Sequence, residues 1–407
     1  MSLTNAARRL PKVLIVAGYF DWFSGYQETA LARAMASLAD TYVLAGDRVS
    51  PIFSDEQLER IGQQRRYPAN TRVEHGVTVT RLATRELRSM VWAPSVPRTI
   101  ADGNFDVIVQ VMPGQLFPAL ASLARNVRRV VLYGDNKAMY AGLPPAVAAA
   151  KFAVFCATKG ALYTAVNLRA DHVYGYTKDT IRRLRAFHPG TTMTLFPLTY
   201  DENKFFYSPE LRESRRHQLG FREDDVVILG AGKVNAQKRL DLLVDAFHQA
   251  RDGLPQLRLV LAGFDDGPVA QSLRDDVVRR GVANFVTILP FVDSDELNAL
   301  FNASDLGVWP RMPAVTIQQA LGTGLDVLIP NNDFTDHLFY SDLRSHEVRN
   351  TRSGERDSAP LASSFSMLAS DLPRSDTDRQ TAAYLAKCTI SARSLCQALL
   401  ENVVERS

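Results

Sequence analysis

The chain has 407 residues, of which 46% are hydrophobic and 22% charged, so its composition is that of a globular protein. It is too long for one ordinary core, and we expect two domains of roughly 200 residues each. No run reaches the roughly 18 to 20 apolar residues of a membrane helix. The nearest, residues 146–166, carries Lys151 and Lys159 and is predicted to be a buried or surface-lying helix.

The two halves of the chain differ in charge. Residues 1–200 hold 24 Lys and Arg against 14 Asp and Glu, whereas residues 201–407 hold 23 against 30. The basic half indicates an anionic partner, either a membrane with anionic lipid or a phosphorylated acceptor, although solvated helix faces explain the charge equally well. The basic clusters are Arg65-Arg66, Arg125-Arg128-Arg129 and Arg182-Arg183-Arg185. Nucleic acid is not expected, because no basic-aromatic module or zinc spacing accompanies these clusters.

Strand-like apolar runs alternate with helical stretches from the first residues onward. The first series of predicted strands is 13–17, 41–44, 77–82, 107–111, 130–133 and 172–176. The second series is 226–230, 257–262, 285–288, 305–309 and 327–330. Fully apolar strands that alternate with helices are typical of parallel sheets covered on both faces. The sequence therefore predicts an α/β fold of two doubly wound, Rossmann-like domains.

Turn formers and aromatic residues interrupt the alternation near 197–209. We expect an N-terminal domain at 1–198, a second domain at 199–376 and a helical segment at 377–407 that packs back on the first domain. Residues 350–375, rich in Ser, Arg and Asp, are predicted to form a long loop. The N-terminus reads as a first strand and not as a signal peptide, and the three cysteines show no metal-ligand spacing, so we expect a cytoplasmic protein with reduced thiols.

The second series opens with VVILGAGKVNAQKRLDLLVDAF, residues 226–247. A strand, a loop with Gly232, Lys233 and Lys238, and a helix follow one another. Glycine lets the backbone approach a phosphate, the helix N-terminus offers free N–H groups, and the lysines add charge, so a diphosphate would fit this loop. A solvated strand-to-helix loop remains the alternative. In the first series Ser24 and Gly25 have a similar position before a helix, where Gly25 is either a phosphate contact or a plain turn residue.

The crossover WPRMPAVTIQQALGTGLDVLIP, residues 309–330, has the shape of a ligand-binding βαβ unit. Residues 306–325 nevertheless contain no Asp or Glu. The ligand of this crossover must therefore be held without a carboxylate.

The segments KVNAQK, LVLAGFDDGP, FVTILPFVDSDELNALFNASDLGVWP and QALGTGLDVLIP resemble, in order and spacing, the donor half of retaining family-4 glycosyltransferases with the GT-B fold. The resemblance covers residues 226–330 well, and residues 13–38 and 170–206 loosely. It implies two Rossmann-like domains that face each other across a cleft, with a nucleotide-diphosphate sugar bound to the second domain.

The resemblance also implies roles for single residues. A basic residue and a lysine five positions later hold the donor diphosphate in the family, which maps to Lys233 and Lys238, beside Gly232. The base-binding loop maps to residues 290–292 with Phe291, and the family's first Gly-Gly maps to Ser24 and Gly25. The family's histidine at a strand end of the acceptor half falls on residues 134–136, so that histidine is absent and Asp135 is the catalytic candidate there.

Two family glutamates, eight positions apart, map to Arg311 and Gln319, with Thr316 between them as a further donor contact. Gln319 can still hydrogen-bond a ribose diol. Arg311 cannot replace a carboxylate, because its guanidinium only donates. Either Arg311 faces an anionic sugar or acceptor group such as a uronic acid, or it turns to solvent or pairs with Asp135.

These features together predict a metal-independent transferase that moves a sugar from a nucleotide-diphosphate sugar to a glycan, lipid-linked or small-molecule acceptor with retention, in bacterial glycan or glycoconjugate biosynthesis. No cofactor beyond the donor substrate and no metal site are expected. The alternative is a non-catalytic GT-B protein that binds nucleotide or glycan or acts as a scaffold. We expect a cytoplasmic location, with peripheral contact at the inner face of an anionic membrane as an open possibility.

Overall fold

The structure is a computed structural model, and it describes residues 9–404 except 52, 88–89, 112–114, 135–143, 189–192, 312–313, 333, 340–342 and 348–357. The chain divides into two compact units. The first unit comprises Met1–Leu198 with Leu395–Ser407, and the second comprises Thr199–Ser394. The helical C-terminus is thus shared, since residues 376–394 belong to the second unit and the residues after them to the first.

The first unit is built on an eight-stranded sheet in the order β10-β9-β8-β7-β1-β2-β4-β3. Its strands, with those of a separate hairpin β5-β6, are β1 (Lys12–Ala17), β2 (Asp40–Gly46), β3 (Thr71–Glu74), β4 (Val77–Leu82), β5 (Arg85–Leu87), β6 (Met90–Trp92), β7 (Val107–Val111), β8 (Arg128–Tyr133), β9 (His172–Gly175) and β10 (Met193–Leu195). All neighbours in the large sheet pair in parallel except β3 and β4. The parallel doubly wound architecture predicted from the apolar runs is confirmed.

Helices cover the sheet of the first unit. They are α1 (Gln27–Ala36), α2 (Asp55–Arg60), α3 (Val96–Gly103), α4 (Leu116–Leu120), α5 (Pro145–Phe155), α6 (Ala161–Asn167) and α7 (Lys178–Leu184). The interior strands β1 and β7 are buried on both faces, as expected of strands made almost entirely of apolar residues. α15 (Ala392–Val404) closes this core with Cys396, Leu399 and Val403, which pack with the strand residues.

The second unit has a six-stranded parallel sheet in the order β13-β12-β11-β14-β15-β16. Its strands are β11 (Val226–Ala231), β12 (Leu257–Phe264), β13 (Val286–Pro290), β14 (Leu306–Val308), β15 (Asp326–Ile329) and β16 (Ser345–Glu347). Its helices are α8 (Pro209–Gln218), α9 (Leu240–Arg251), α10 (Pro268–Arg279), α11 (Ser294–Ala303), α12 (Val315–Gly322), α13 (Ala359–Leu368) and α14 (Asp376–Ile390). The prediction of a loop over residues 350–375 is wrong for α13, whose Leu361 and Phe365 are buried in the core.

The strand order of the second unit determines where a ligand can bind. From β11 the sheet grows through β12 and β13 on one side and through β14, β15 and β16 on the other. The side on which successive strands are added therefore switches between β11 and β14, which is the switch point of this sheet. In open α/β sheets the crevice at the carboxyl ends of the two strands that flank such a switch point is the usual ligand site. The loops after β11 and β14 lie at this point.

Candidate donor site in the second unit

The loop after β11 is shaped by glycine at two places. Gly232 has φ +124°, a conformation that side chains disfavour, and its N–H donates to the carbonyl oxygen of Ala262 on the neighbouring strand at 3.1 Å. Gly263, with φ +105°, lies so close that a Cβ there would be 2.5 Å from the carbonyl oxygen of Gly232. Both positions require glycine. Because neither residue has a side chain, a ligand at this end of the sheet can approach the protein backbone closely.

Lys238 reaches back over the loop to Gly232. A Cβ on Gly232 would lie 2.5 Å from the Lys238 Nζ and 3.9 Å from the Thr316 Oγ1. The turn that positions this lysine is held by Asn235, whose side-chain oxygen accepts hydrogen bonds from the backbone N–H groups of Gln237 at 3.1 Å and Lys238 at 3.2 Å. The ammonium group and the glycine backbone are thereby fixed side by side.

Trp309 joins the loop after β11 to the helix after β14. Its indole Nε1–H donates to the carbonyl oxygen of Ala231 at 3.2 Å and to the Thr316 Oγ1 at 3.0 Å. The Trp309 ring is buried over Gly307, where a Cβ would be 2.6 Å from the ring. Thr316 lies in the first turn of α12, so this helix begins beside Lys238 and Gly232.

The start of α12 is suited to an anion. Its N-cap is Ala314, which has an extended backbone and no side-chain oxygen to accept a hydrogen bond from the first turn. The Ile317 N–H already donates to the carbonyl oxygen of Ala314 at 3.1 Å. No side chain in the described part of the chain caps the helix, so the N–H groups of Val315 and Thr316, at the positive end of the helix dipole, can face a ligand. With the ammonium group of Lys238 next to them, they form a cluster of donors at the switch point that can hold a diphosphate. We call Gly232, Lys238, Trp309 and Thr316 the switch-point cluster.

The other predicted donor residues of the second unit lie around this cluster. Lys233 is exposed on the same loop, next to the buried Val234. Gln319 is half-buried, three residues after Thr316 on α12, and Arg311 is exposed in the loop after β14. Phe291 follows the edge strand β13 and is 80% exposed. The structure thus unites Gly232, Lys238 and Thr316, and the sequence pattern did not indicate Trp309 or Asn235.

The remaining candidates belong to the first unit. Gly25 has φ +63° and ends a short 3-10 turn, in which the Ser24 Oγ donates to the carbonyl oxygen of Asp21 at 2.6 Å. Glu28, in the first turn of α1, has its pKa raised to about 7, mainly by burial and further by the charge of Asp21. Asp135 lies outside the described residues. In the described part of the chain no group of three or more His, Cys, Asp or Glu side chains could hold a metal ion.

Comparison with known proteins gives a family match within the second unit. Residues 212–316 match the family described as glycosyl transferases group 1. Mannosylfructose-phosphate synthase of Agrobacterium fabrum is 29% identical over 121 residues, which are 28% of this chain and 26% of that protein. D-inositol 3-phosphate glycosyltransferase of Mycobacteroides abscessus is 29% identical over 146 residues, 35% of this chain and 29% of that protein. The chain thus spans less than a third of the length of these two curated relatives.

A solved structure extends the similarity to both units. The Anabaena protein HepE in complex with UDP superposes with a TM-score of 0.68 at 18% identity, over 97% of this chain and 100% of that one. The shared architecture is the GT-B fold, with its two parallel α/β sheets. The predicted resemblance is confirmed over residues 212–316, which match the group 1 glycosyltransferases, and the chain has the GT-B fold.

Proposed function

We propose that this protein is a glycosyltransferase that takes a sugar from a nucleotide-diphosphate sugar and transfers it to an acceptor with retention of anomeric configuration. The observation that carries the proposal is the switch-point cluster, where Lys238, the Gly232 backbone and the uncapped start of α12 come together. A diphosphate is the group of a sugar donor that needs such a concentration of positive charge and N–H donors.

The chemistry requires stabilisation of the leaving group. The bond from the anomeric carbon to the diphosphate oxygen breaks, and the acceptor hydroxyl oxygen bonds to that carbon on the same face. The acceptor proton passes to the departing diphosphate oxygen. In this proposal Lys238, assisted by the exposed Lys233, neutralises the charge that develops on the diphosphate, and no metal ion is needed. Activity that is unchanged by a metal chelator would agree with this assignment, and activity that disappears would contradict it.

A uridine donor is the first choice for testing, because the similar Anabaena protein has been solved with UDP and with UDP-glucose. Phe291 and its neighbours after β13 are proposed to contact the base, and Gln319 the ribose. Ser24 and Gly25 of the first unit are proposed donor contacts on the strength of the sequence resemblance, and Asp135 remains a catalytic candidate. The acceptor is proposed to be a phosphorylated molecule or a lipid-linked or other glycan, in keeping with the basic first half of the chain.

The experiment is turnover of UDP-, GDP- and TDP-sugars by the pure protein, measured as release of the nucleoside diphosphate. Lys238→Ala should lower the rate about a hundredfold or more, since it removes a charge that acts on the leaving group. Lys387→Ala, which removes an exposed lysine of α14, is the matched control and should leave the rate unchanged. An unchanged rate in Lys238→Ala would remove the assignment.

The second candidate function is a GT-B protein that binds nucleotide or glycan without transfer. The replacement of both family glutamates by Arg311 and Gln319 favours this alternative, whereas the intact switch-point cluster opposes it. The same assay separates the two. A protein that binds a nucleotide sugar but releases no nucleoside diphosphate, with or without added acceptors, would be the non-catalytic form.

A further inference from the structure

One helix of the first unit has a composition that does not suit its surroundings. α5, with the sequence PAVAAAKFAVF, is apolar on every side, and Lys151 is its one charged residue. None of its residues is buried, and nine of the eleven are exposed. The exposed fractions reach 43% for Val147, 48% for Phe152 and 64% for Val154. A helix that is apolar all round belongs in a protein core or in a membrane, so something must cover α5.

The neighbouring residues limit what α5 can do. The helical stretch Pro145–Asn167 is long and apolar enough to cross a membrane by length and composition. Its second half, however, is part of the first unit: Tyr163 and Val166 are buried, and Asn167 accepts a hydrogen bond from the Tyr133 hydroxyl at 2.6 Å. Only α5 is available, and eleven residues at about 1.5 Å each are too short to cross a bilayer.

Aromatic contacts connect the C-terminal end of α5 to the core of the first unit. Phe152 stacks on Phe155, with ring centroids 6.4 Å apart and an interplanar angle of 15°. Phe155 in turn packs edge-on against Tyr163 at 5.8 Å and Phe187 at 5.6 Å. These contacts attach the C-terminal end of α5 to the first unit and leave its other side chains exposed.

The charged residues near α5 indicate what kind of surface could cover this helix. Residues 144–170 contain Lys151, Lys159 and Arg169 but no Asp or Glu. Lys151 and Arg169 are exposed. By contrast, several arginines of the basic clusters are already in ion pairs within the protein, such as Arg65 with Asp55 and Arg183 with Asp179. An apolar helix with cationic residues and no acidic ones complements the interface of a bilayer that contains anionic lipid.

We propose that α5 is a membrane-surface anchor, which lies in the boundary between headgroups and acyl chains of an anionic bilayer. Val147, Phe152 and Val154 enter the apolar layer, and Lys151 meets the lipid phosphates. This inference does not rest on the proposed transfer reaction. It concerns a different surface, and either can hold if the other fails.

The test measures binding of the full chain to phosphatidylcholine vesicles with and without phosphatidylglycerol, by co-sedimentation. Binding should require phosphatidylglycerol and weaken as salt rises, because exposed charges are screened over about 8 to 10 Å. Val154→Asp should weaken binding about tenfold or more. Val278→Asp is the matched control, since Val278 on α10 is 69% exposed and the substitution adds the same charge. It should change binding less than about twofold.

Three results would overturn the proposal. The first is the absence of binding to phosphatidylglycerol vesicles at low salt. The second is an equal loss in Val154→Asp and Val278→Asp, which would mean that only net charge matters. The third is a dimer of the unmodified protein that Val154→Asp dissociates without any vesicle binding, which would show that a second copy of the chain covers α5. Far-UV circular dichroism of both variants checks that they remain folded.

Discussion

At the scale of single residues, the loop after β11 has little freedom to change. Gly232 and Gly263 pack backbone against backbone with positive φ, and the Lys238 Nζ occupies the space that a side chain at Gly232 would take. The glycine, the two lysines and the helix that follows them predicted a diphosphate site from the sequence, with a solvated loop as the alternative. The sequence did not indicate that the Lys238 ammonium group lies directly against Gly232.

We expect Gly232→Ala to weaken donor binding about tenfold or more without unfolding the protein. The alanine would have to adopt a φ that costs of order 1–3 kcal/mol and would displace the end of Lys238 from its position. The measurement is calorimetric titration with the best donor nucleotide. Gly253→Ala, where a Cβ meets only the carbonyl oxygen of Ala250 at 3.8 Å, is the control. Equal affinities in the two variants would show that Gly232 is not part of the site.

A prediction about donor specificity concerns Arg311. It is exposed after β14, at the position where the family resemblance implies a carboxylate beside the sugar. If the proposed donor or the group next to it is anionic, Arg311→Glu should reduce kcat/KM for a uronic-acid donor by about 2 kcal/mol more than for the neutral sugar of the same nucleotide. Equal effects on both donors would place Arg311 in solvent with no role in sugar recognition.

Glu28 should make the stability of the first unit depend on pH. Its pKa in the folded protein is raised to about 7, so between the ordinary value of 4.5 and 7 the folded state holds the proton more tightly than the unfolded state. Stability therefore falls as pH rises through this range. Glu28→Gln should stabilise the protein by about 2 kcal/mol at pH 8 and by much less at pH 4.5. Urea unfolding at the two pH values measures this, with Glu59→Gln, an exposed side chain of α2, as control. If Glu28→Gln stabilised the protein equally at both pH values, the raised pKa of Glu28 would be contradicted.

At the scale of elements, apolar periodicity predicted every strand of the sheet interiors. All eleven predicted strands are present, and most of them contribute buried residues to the cores of the two units. The strands that were not predicted are short, and two of them lie at sheet edges with polar sequences, Thr71–Glu74 and Ser345–Glu347. A stretch with one face in water and few apolar residues has no periodic signal. The same limit explains the loop predicted where α13 forms, because Ser and Ala at half of its positions conceal the apolar face.

The candidate site was predictable only in part, for a related reason. Lys238, Gly232 and Thr316 are near one another because two crossovers meet at the switch point, and the resemblance supplied that arrangement. The Trp309 hydrogen bonds to Ala231 and Thr316 connect residues far apart in the chain. Nothing in the spacing of a single tryptophan after a strand indicates such a link.

Arg379 connects α14 to the rest of the second unit by hydrogen bonds, and we expect it to contribute strongly to the stability of that unit. Its buried guanidinium donates to the carbonyl oxygens of Ser304 at 2.6 Å and Phe301 at 3.0 Å, and burial lowers its pKa to about 10. Arg379→Met should cost about 3 kcal/mol of unfolding free energy, because buried carbonyl groups lose their donors. Urea denaturation checks this, with the exposed Arg393→Met as control. A cost below about 1 kcal/mol would mean that the core repacks around methionine.

At the scale of the whole molecule, the two units divide two proposed tasks. The second unit holds the switch-point cluster proposed for the donor, and the first carries the exposed α5 proposed for a membrane surface. The opposite charges of the two halves of the sequence fit this division, since the excess of Lys and Arg is in residues 1–200. The membrane-binding surface and the donor site can therefore be tested with separate variants of one protein.

The central claim is that a nucleotide sugar binds at the switch-point cluster, and a thermal-shift screen against UDP-, GDP- and TDP-sugars tests it most directly. A ligand that binds only the folded state raises the unfolding temperature, by an amount that grows with the logarithm of its concentration relative to its Kd. We expect one nucleotide to raise the Tm of the unmodified protein and of Lys387→Ala, and this rise to be lost in Lys238→Ala. A screen in which no nucleotide sugar raises the Tm, or in which Lys238→Ala responds like the unmodified protein, would contradict the claim.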